Sequence, residues 1–354
     1  MEPIAVNVIK VFFLTVVGSV LAVFSTPALT NFLYRHKLWR KSVRTKTIDG
    51  KEAKIFYKLH KEKEVSTPRF GGLLIWVTTL IEALFFWSLS YFFPDSFWIQ
   101  KLNFLSRSQT WLPMFSLITA ALVGLFDDIL QVKGKGRYIA GGLTFRERFL
   151  MVSLIGLIGG LWFYFKLGWK TIHIPGNGDF FIGPFYILLF VIVMLACWSG
   201  GVIDGLDGLA GGAFASMFAA FGVIAFAQNQ INLAAFCGVI TGTILAFLWF
   251  NIPPARFYMG ETGSLALTST LAVVAFLTDS VLVLPVIGGL LVIESGSVIL
   301  QLLSKKIRKK KIFLSAPIHQ HLQARGWQEP KIVMRFWIIG VVFAIMGIAI
   351  RLLG

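Results

Sequence analysis

The stretch PFYILLFVIVMLACWSGGVIDGLDGLA, residues 184–210, indicates the fold. Its first 20 residues carry no charge and match the ~20 residues that a helix needs to cross a bilayer. Two carboxylates, Asp204 and Asp207, follow in a glycine-rich turn. A charged side chain costs ~2.5–3.5 kcal/mol at the centre of a spanning helix. The stretch therefore predicts a membrane helix that ends in a polar site where lipid meets water.

The composition of the whole chain supports the same class. Its 354 residues are 56% hydrophobic with a mean hydropathy of +0.76, which predicts a polytopic membrane protein with residues 1–354 as one integral-membrane domain. A net charge of +16 is also typical of nucleic-acid-binding proteins. Basic loops between apolar runs explain this charge better, so no nucleic-acid partner is expected. Cys197 and Cys237 lie inside apolar runs without a metal-ligand or disulfide pattern.

The apolar runs predict an all-α protein with about ten transmembrane helices. Pro285 and Gly288-Gly289 indicate that the ninth helix is bent or broken. The segment 171–182 contains a Gly-Asn-Gly turn between strand-forming residues, which predicts a short β-hairpin outside the membrane. The predicted spans are 6–33, 70–93, 111–130, 147–167, 184–203, 213–228, 233–250, 265–280, 282–303 and 334–353.

The distribution of basic residues predicts the orientation. Of 33 Lys and Arg residues, 27 lie in the four segments 34–69, 131–148, 251–264 and 304–335. If the spans alternate, these segments share one face, which the positive-inside rule makes cytoplasmic, with both termini periplasmic. The polar candidates for an active-site groove fall on that same face: Asp127, Asp128, Asp204, Asp207, Glu261, His319 and His321.

Paired carboxylates at the ends of apolar runs suggest metal chemistry. Asp127 and Asp128 end the third span, where acids oppose the helix dipole, so coordination of a metal or a base beside a metal explains them better than simple solvation. Asp204 and Asp207 are either helix-capping acids or ligands. Hard oxygen ligands and a phosphate substrate suit Mg²⁺. The nearest basic residues that would hold phosphates are Lys133, Lys135 and Arg137, with Arg146 and Arg148 beyond them.

Two further loops and one span add candidates. Glu261, the only acid of the loop that begins at Asn251, is either a solvated acid or a metal ligand. His319 and His321 form a weak zinc signal without cysteines, so substrate hydrogen bonding or proton transfer is the better interpretation. Glu294 and Gln301 are polar groups within the ninth apolar run and are expected to face an internal groove.

Together these segments resemble the phospho-N-acetylmuramoyl-pentapeptide transferases, a branch of the polyprenyl-phosphate N-acetylhexosamine-1-phosphate transferase family. The similarity runs over nearly the whole length, and the Ala-Pro-Ile-His segment followed by Gly-Trp is typical of the muramoyl-pentapeptide branch. The segments that carry it are Thr67-Pro-Arg-Phe-Gly-Gly72, Asp127-Asp128, Asp204-Gly-Leu-Asp207-Gly-Leu-Ala210, Asn251-x-x-Pro-Ala255, Met259-Gly-Glu-Thr-Gly-Ser264, Ala316-Pro-Ile-His-Gln-His321, Gly326-Trp327 and Arg335-Phe-Trp-Ile338.

The resemblance implies a ten-span enzyme of the bacterial plasma membrane with a cytoplasmic active site. It implies Mg²⁺-dependent transfer of phospho-MurNAc-pentapeptide from UDP-MurNAc-pentapeptide to undecaprenyl phosphate, giving lipid I and UMP. Asp127 would be the base or the nucleophile, supported by Asp128, and Glu261 would hold Mg²⁺. Asp204 is a third catalytic candidate that would bind nucleotide or substrate, and it is also a candidate ligand of Mg²⁺. The substrate contacts implied or expected are Asp207, Asn251, His319, His321, Lys133, Lys135 and Gln301. A homodimer and a one-step or two-step mechanism are left open.

The chain also departs from the family pattern near the nucleotide region. Glu261 replaces the usual Asp and is one methylene longer, and Gln320 replaces the middle one of three histidines. Lysines are expected where Gln131 and Glu64 stand, and Lys63 or Lys133 is available to compensate. The remaining departures are Gln323 for Glu, and Gly201 and Trp198 where asparagines are usual.

Two alternative functions remain at this point. A related transferase would pass a HexNAc-1-phosphate from its UDP carrier to a polyprenyl phosphate for another surface polymer. A transporter would be expected to place its acids near the middle of the membrane, whereas most acids here lie at the ends of the spans.

Overall fold

A computed structural model describes residues 2–41, 43, 57, 64–136 and 141–354. Within that part of the chain, nine helices are long and apolar enough to cross a membrane, which confirms the all-α polytopic class. A π-helical turn, Trp162–Lys166, extends the helix Phe145–Leu161, and a 3₁₀ turn, Gly200–Ile203, extends the helix Phe185–Ser199. The nine helices are α1 Pro3–Arg35, α2 Gly72–Phe92, α4 Trp111–Val132, α5 Phe145–Leu161, α6 Phe185–Ser199, α7 Leu209–Ala227, α8 Ile231–Asn251, α9 Gly260–Leu277 and α13 Glu329–Leu353.

Shorter elements connect these helices. The expected hairpin is present as β1 Thr171–Ile174 and β2 Gly178–Phe181, which pair antiparallel with His173 opposite Asp179. The short helices are α3 Phe97–Leu102, α10 Leu284–Ile287, α11 Gly289–Ile307 and α12 Ile318–Ala324.

The predicted ninth span, residues 282–303, corresponds to α10 and α11, which are separate helices on either side of Gly288. Helix α11 is not among the nine apolar helices of the described residues. It buries the polar side chains of Glu294 and Gln301 and ends in Lys305 and Lys306, which lower its hydropathy. The bend of this span stays a prediction.

Helix α9 lies at the centre of the bundle and packs most closely against α4. Of its most apolar stretch, 94% is buried, although its hydropathy of 1.3 is the lowest of the nine. Small side chains allow this, because they let helix backbones approach closely. The hydroxyls of Thr268 and Thr270 donate to the carbonyls of Ser264 and Ala266 at 2.8 Å. Both hydroxyls are therefore hydrogen-bonded within their own helix, which lowers the cost of burying them.

Helices α1 and α13 lie at the outside of the bundle, where only 22% of the most apolar stretch of each is buried by protein. Phe12 and Phe24 on α1 are 67% and 79% exposed. Contiguous apolar surface of this kind marks contact with a non-aqueous environment. These faces are therefore the lipid-facing surface of a multi-pass membrane protein.

The bundle has two chemically different ends. At the end that carries the hairpin (the hairpin end), the amide of Gly176 donates to the carbonyl of Gly354 at 3.2 Å, and Lys10 donates to the carbonyl of Asn103 at 3.1 Å. Both termini therefore lie at the hairpin end. Helices α4 and α6 lead from this end to the opposite one, the carboxylate end, where the predicted site residues gather.

Candidate active site

The N-terminus of α9 organises the carboxylate end. The first amides of a helix have no partner within it, and the residue before α9, Met259, supplies no side-chain cap. Instead the amide of Gly260 donates to Asp204, and the amides of Glu261 and Thr262 donate to Asp128, the last at 2.9 Å. The positive end of the helix dipole therefore faces two carboxylates from other segments, which stabilises their charged form.

Two glycines allow this close approach. Gly260 has a φ of +74°, and a Cβ on it would lie 2.5 Å from Oδ2 of Asp128. A Cβ on Gly124 of α4 would lie 2.2 Å from the carbonyl oxygen of Glu261. Only glycine fits both the dihedral angle at the first position and the contact at the second. The two residues fix how deeply α9 sits against α4.

Asp128 is fully buried and makes contacts that are structural in kind. Besides the amides of α9, its Oδ1 accepts a hydrogen bond from Nε of Arg69 at 3.1 Å. Arg69 precedes α2, so this ion pair ties α2, α4 and α9 together. A buried carboxylate needs partners of this kind, because an unpaired buried charge is strongly destabilising.

Asp127 is 1% exposed and is held on both oxygens. Its Oδ1 accepts from the amide of Leu143 at 2.5 Å, and its Oδ2 lies 2.8 Å from Nε2 of Gln131 and 2.9 Å from Nη2 of Arg148. Arg148 also donates to Oε1 of Glu261 at 2.7 Å. One guanidinium therefore links the carboxylates of α4 and α9.

A capping box places Arg148 in this position. The hydroxyl of Thr144 accepts from the amide of Glu147, and the Glu147 carboxylate accepts from the amide of Thr144 at 2.7 Å. This reciprocal pair starts α5 at Phe145. Arg148 then lies in the first turn of α5 and reaches back to Asp127.

The cluster contains four carboxylates, those of Asp127, Asp128, Asp204 and Glu261, around the guanidinium groups of Arg69 and Arg148. Burial raises the pKa of Asp204 from its ordinary value to about 7; Arg69 opposes this shift, and the negative charges of Glu261 and Asp128 add to it. Asp204 is partly exposed, and the Glu261 side chain is 25% exposed. The accessible part of the cluster therefore has excess negative charge and offers hard oxygen donors to a cation.

The closest group of candidate metal ligands among the described residues lies elsewhere. Among the described residues, three candidate ligand atoms come within 4.8 Å of one another only at the hairpin end, from His173, Asp179 and Asp279. The carboxylate end thus fits an ion that takes few ligands from the protein and the rest from water or phosphate. Mg²⁺ binds in this way.

Asp207 and Asn251 connect the turn after α6 to the loop after α8. Oδ2 of Asp207 accepts from the amide of Ala255 at 3.2 Å. Oδ1 of Asn251 accepts from the amide of Gly208 at 3.0 Å, and its Nδ2 donates to the carbonyl of Phe257 at 2.8 Å. These contacts are all with the backbone, and the substrate roles of both residues stay predictions.

His319 lies beneath the turn that carries Asp204. It is fully buried, its Nδ1 lies 2.9 Å from Oε2 of Glu294, and a Cβ on Gly205 would lie 2.4 Å from its Nε2. His321 is partly exposed, and its Nδ1 accepts from the amide of Leu314 at 3.1 Å. Burial and the nearby Arg325 lower the pKa of His321. The two histidines therefore differ in their environment, and only His321 reaches the surface.

The other predicted substrate residues lie at the periphery of the cluster. The amide of Gln301 accepts from the backbone amides of Ile312 and Phe313 at 3.0 Å and donates to the carbonyl of Phe313 at 2.8 Å, so it holds the loop after α11. Lys133 and Lys135 are exposed beyond the end of α4. Arg137 lies outside the described residues.

Arg69 was not predicted from the sequence as a partner of the carboxylates, and Arg148 was predicted only as one basic residue among several. The Thr144-x-x-Glu147 pattern could have placed Arg148 in the first turn of a helix. Arg69 gave a weaker signal, a single cation between Pro68 and the Gly71-Gly72 pair.

Known proteins of similar sequence identify the family of this chain. Residues 110–279 match the model of glycosyl transferase family 4. Three relatives carry the name phospho-N-acetylmuramoyl-pentapeptide-transferase. Those of Geobacillus sp. (strain WCH70) and Lactiplantibacillus plantarum are 37% identical over 298 and 290 residues, covering 82% and 81% of this chain and 85% of each relative. That of Bartonella quintana is 33% identical over 305 residues, covering 81% of this chain and 80% of the relative. The chain therefore belongs to the phospho-N-acetylmuramoyl-pentapeptide transferase family.

Proposed function

We propose that this protein transfers phospho-MurNAc-pentapeptide from UDP-MurNAc-pentapeptide to undecaprenyl phosphate, forming lipid I and releasing UMP. The observation that carries the proposal is the cluster of Asp127, Asp128, Asp204 and Glu261 at the N-terminus of α9. It lies at one end of a bundle of membrane helices, where a lipid phosphate and a water-soluble nucleotide can meet. Names of relatives that this chain matches over about four fifths of its length support phospho-MurNAc-pentapeptide as the transferred group.

In the proposed reaction, an oxygen of the lipid phosphate bonds to the β-phosphorus of the donor. The bond between that phosphorus and the bridging oxygen breaks, and UMP leaves with the electron pair. Asp127 either accepts the proton of the lipid phosphate or attacks the β-phosphorus first and then passes the phospho-sugar on. Both oxygens of Asp127 are held by donors, which fixes the carboxylate in one orientation for either role.

Mg²⁺ fits the accessible carboxylates Asp204 and Glu261, because both are hard oxygen donors in a site with excess negative charge. Bound there, the ion would neutralise charge on the diphosphate. Arg148 positions Glu261 through the contact at 2.7 Å. Arg148 therefore fixes the position of the Glu261 carboxylate, whose side chain is one methylene longer than that of the usual Asp.

We also propose that the carboxylate end faces the cytoplasm of a bacterium and that both termini lie in the periplasm. The support is the sequence, in which 27 of the 33 basic residues lie in the segments 34–69, 131–148, 251–264 and 304–335, which alternating spans would place on one face. The donor would approach from the side of Asp207, Asn251, His319, His321, Lys133, Lys135 and Gln301. The isoprenoid chain of the acceptor would remain in the lipid along the exposed apolar surface.

Release of UMP by the detergent-purified protein tests the proposal. We expect release that requires UDP-MurNAc-pentapeptide, undecaprenyl phosphate and Mg²⁺ together. The Asp127→Asn variant should lose about 10²- to 10⁴-fold of the turnover, the usual contribution of a positioned proton acceptor. Asp179→Asn at the hairpin end, where the side chain is 63% exposed, is the matched control and should keep full turnover.

The outcomes separate the possibilities. Turnover with UDP-GlcNAc in place of the peptide-bearing donor would assign the protein to the related transferases of other surface polymers. Absence of release with every donor would refute the proposed reaction. Near-normal turnover by Asp127→Asn would show that another group activates the lipid phosphate.

A further inference from the structure

Arg40 lies after the end of α1 and is only 3% exposed. Its Nε donates to Oε1 of Gln131 at 3.0 Å, its Nη2 donates to the same oxygen, and its Nη1 lies 2.7 Å from Oε1 of Glu64. The guanidinium therefore contacts the side chains of both Gln131 and Glu64. Of these two, Gln131 also contacts Asp127, the carboxylate proposed to act on the substrate.

Gln131 connects Arg40 to Asp127 through hydrogen bonds. It lies four residues after Asp127 on α4, and therefore on the same face of the helix. It is 1% exposed, and its Nε2 donates to Oδ2 of Asp127 at 2.8 Å. The three side chains form one continuous path of hydrogen bonds from Arg40 to the carboxylate.

The direction of this path follows from the donor and acceptor inventory. A guanidinium can only donate, and an ionised carboxylate can only accept. An amide between them must turn its oxygen to Arg40 and its nitrogen to Asp127, so the orientation of Gln131 is set by its two neighbours. Polarisation by the cation strengthens the hydrogen bond that the amide donates.

Two departures from the family pattern meet at the same residue. Gln131 and Glu64 stand where the resemblance leads one to expect lysines, and both contact Arg40. A lysine at position 131 would place a second cation against a buried guanidinium, where like charges repel strongly. Lys133, one of the two residues available to compensate, is exposed, and the other, Lys63, lies outside the described residues.

We propose that Arg40 is a positioning residue for Asp127 and acts through the amide of Gln131 in place of the lysine expected at position 131. This role rests on the proposed function, since it concerns the orientation of Asp127 in the transfer step. It predicts an effect on kcat rather than on KM, because the path from Arg40 ends at the carboxylate that takes part in the chemical step.

A double-mutant cycle tests this role. Gln131→Met removes the amide at similar size and leaves the pair of Arg40 and Glu64 intact. Arg40→Lys keeps a cation for Glu64 but loses the planar fork that holds the amide. Lys41→Met, at the adjacent exposed cation, is the control. The kcat and KM of UMP release and the thermal midpoint are measured for the two single variants, the double variant and the control.

We expect Gln131→Met to lower kcat by about tenfold or more, the effect of losing a hydrogen bond to a charged group. Arg40→Lys should lower kcat less, and the double variant should be no slower than Gln131→Met, because both changes cut the same path. KM and the kcat of Lys41→Met should stay unchanged.

Three results would overturn the inference. Additive losses in the double variant would show that Arg40 and Gln131 act independently. A raised KM with unchanged kcat in Arg40→Lys would show that Arg40 binds substrate. Losses of kcat that track the lowered thermal midpoints would show a structural role only. Turnover of the unsubstituted protein is measured first, so that failure of the proposed function is recognised separately.

Discussion

At the scale of single residues, the four clustered carboxylates are not equivalent. Asp127 and Asp128 are buried and engaged by amides and guanidinium groups, whereas Asp204 and Glu261 are partly exposed. Burial raises the pKa of Asp204 to about 7, so its carboxyl gains or loses a proton near neutral pH. Its charge state therefore changes in the range where cells and assays operate.

This predicts a pH-dependent affinity for Mg²⁺. Because Asp204 holds its proton more tightly in the folded protein than its ordinary pKa near 3.9 implies, Mg²⁺ must displace that proton below pH 7. The apparent affinity should fall by about tenfold for each pH unit below 7 and level off above it. The shift of the thermal midpoint by Mg²⁺ at pH 6, 7 and 8 measures this.

The Asp204→Asn variant is the control for that prediction. It should bind Mg²⁺ more weakly at pH 8 and show little change of affinity between pH 6 and 8. The same raised pKa means that this carboxyl contributes to stability below its ordinary pKa and loses that contribution as the pH rises through 7. An unchanged pH dependence in the variant would assign the titration to another group.

At the scale of elements, the N-terminus of α9 joins the fold to the site. Its three leading amides are capped by Asp204 and Asp128 from two other segments rather than by a residue of its own. The backbone amides that need hydrogen-bond partners at this helix end therefore also hold the carboxylates of Asp204 and Asp128 in place. Stability and site geometry are coupled at this point, and Gly260 is where both can be disturbed by a single methyl group.

We expect Gly260→Ala to lower the free energy of unfolding by at least about 1–2 kcal/mol, the cost of a left-handed conformation for a residue with a Cβ. It should also lower turnover, because the new Cβ would lie 2.5 Å from Oδ2 of Asp128. Denaturant unfolding in detergent and UMP release measure the two effects.

Gly296→Ala is the matched control for that change. Gly296 lies within α11, and a Cβ there would meet no atom within 4 Å. Alanine is favoured over glycine within a helix by about 1 kcal/mol, so the control should be neutral or stabilising. Equal losses in the two variants would mean that the left-handed angle and the contact with Asp128 are not responsible.

At the scale of the whole molecule, the termini and the hairpin lie at one end and the carboxylates at the other. Among the described residues, most basic side chains belong to segments at the carboxylate end. Attraction of basic loops to anionic lipid and the positive-inside rule both orient such a chain in one direction.

Cysteine labelling in intact cells tests this orientation. A cysteine at Asn177, in the exposed hairpin turn, should react with a membrane-impermeant maleimide, whereas a cysteine at Lys133 should react only after the membrane is opened. The native Cys197 and Cys237 are 5% and 0% exposed and should give no background. Labelling of Lys133→Cys in intact cells would show that the carboxylate end faces outward.

The sequence by itself was sufficient for the class of fold, the hairpin and the set of carboxylates. Apolar runs and basic loops can be read from short stretches of sequence. The apolar runs predict the membrane-spanning helices, and the basic loops predict which ends of these helices face the cytoplasm. From the sequence, one apolar span more is predicted than the nine found in the described part of the chain. The additional span, residues 282–303, includes α11, which carries the polar side chains of Glu294 and Gln301 and buries them within the bundle.

Only the tertiary structure decided which partners each carboxylate has. Three of these contacts join residues far apart in the sequence: Arg40 and Gln131 are 91 positions apart, Arg148 and Glu261 are 113 apart, and Asp128 and Thr262 are 134 apart. Local patterns carry no information on such pairs, because only the packed helices bring them together, as the close approach of α4 and α9 at Gly124 and Gly260 does for Asp128 and Thr262. The sequence thus determined which groups are available for the chemistry, and packing between helices decided their geometry.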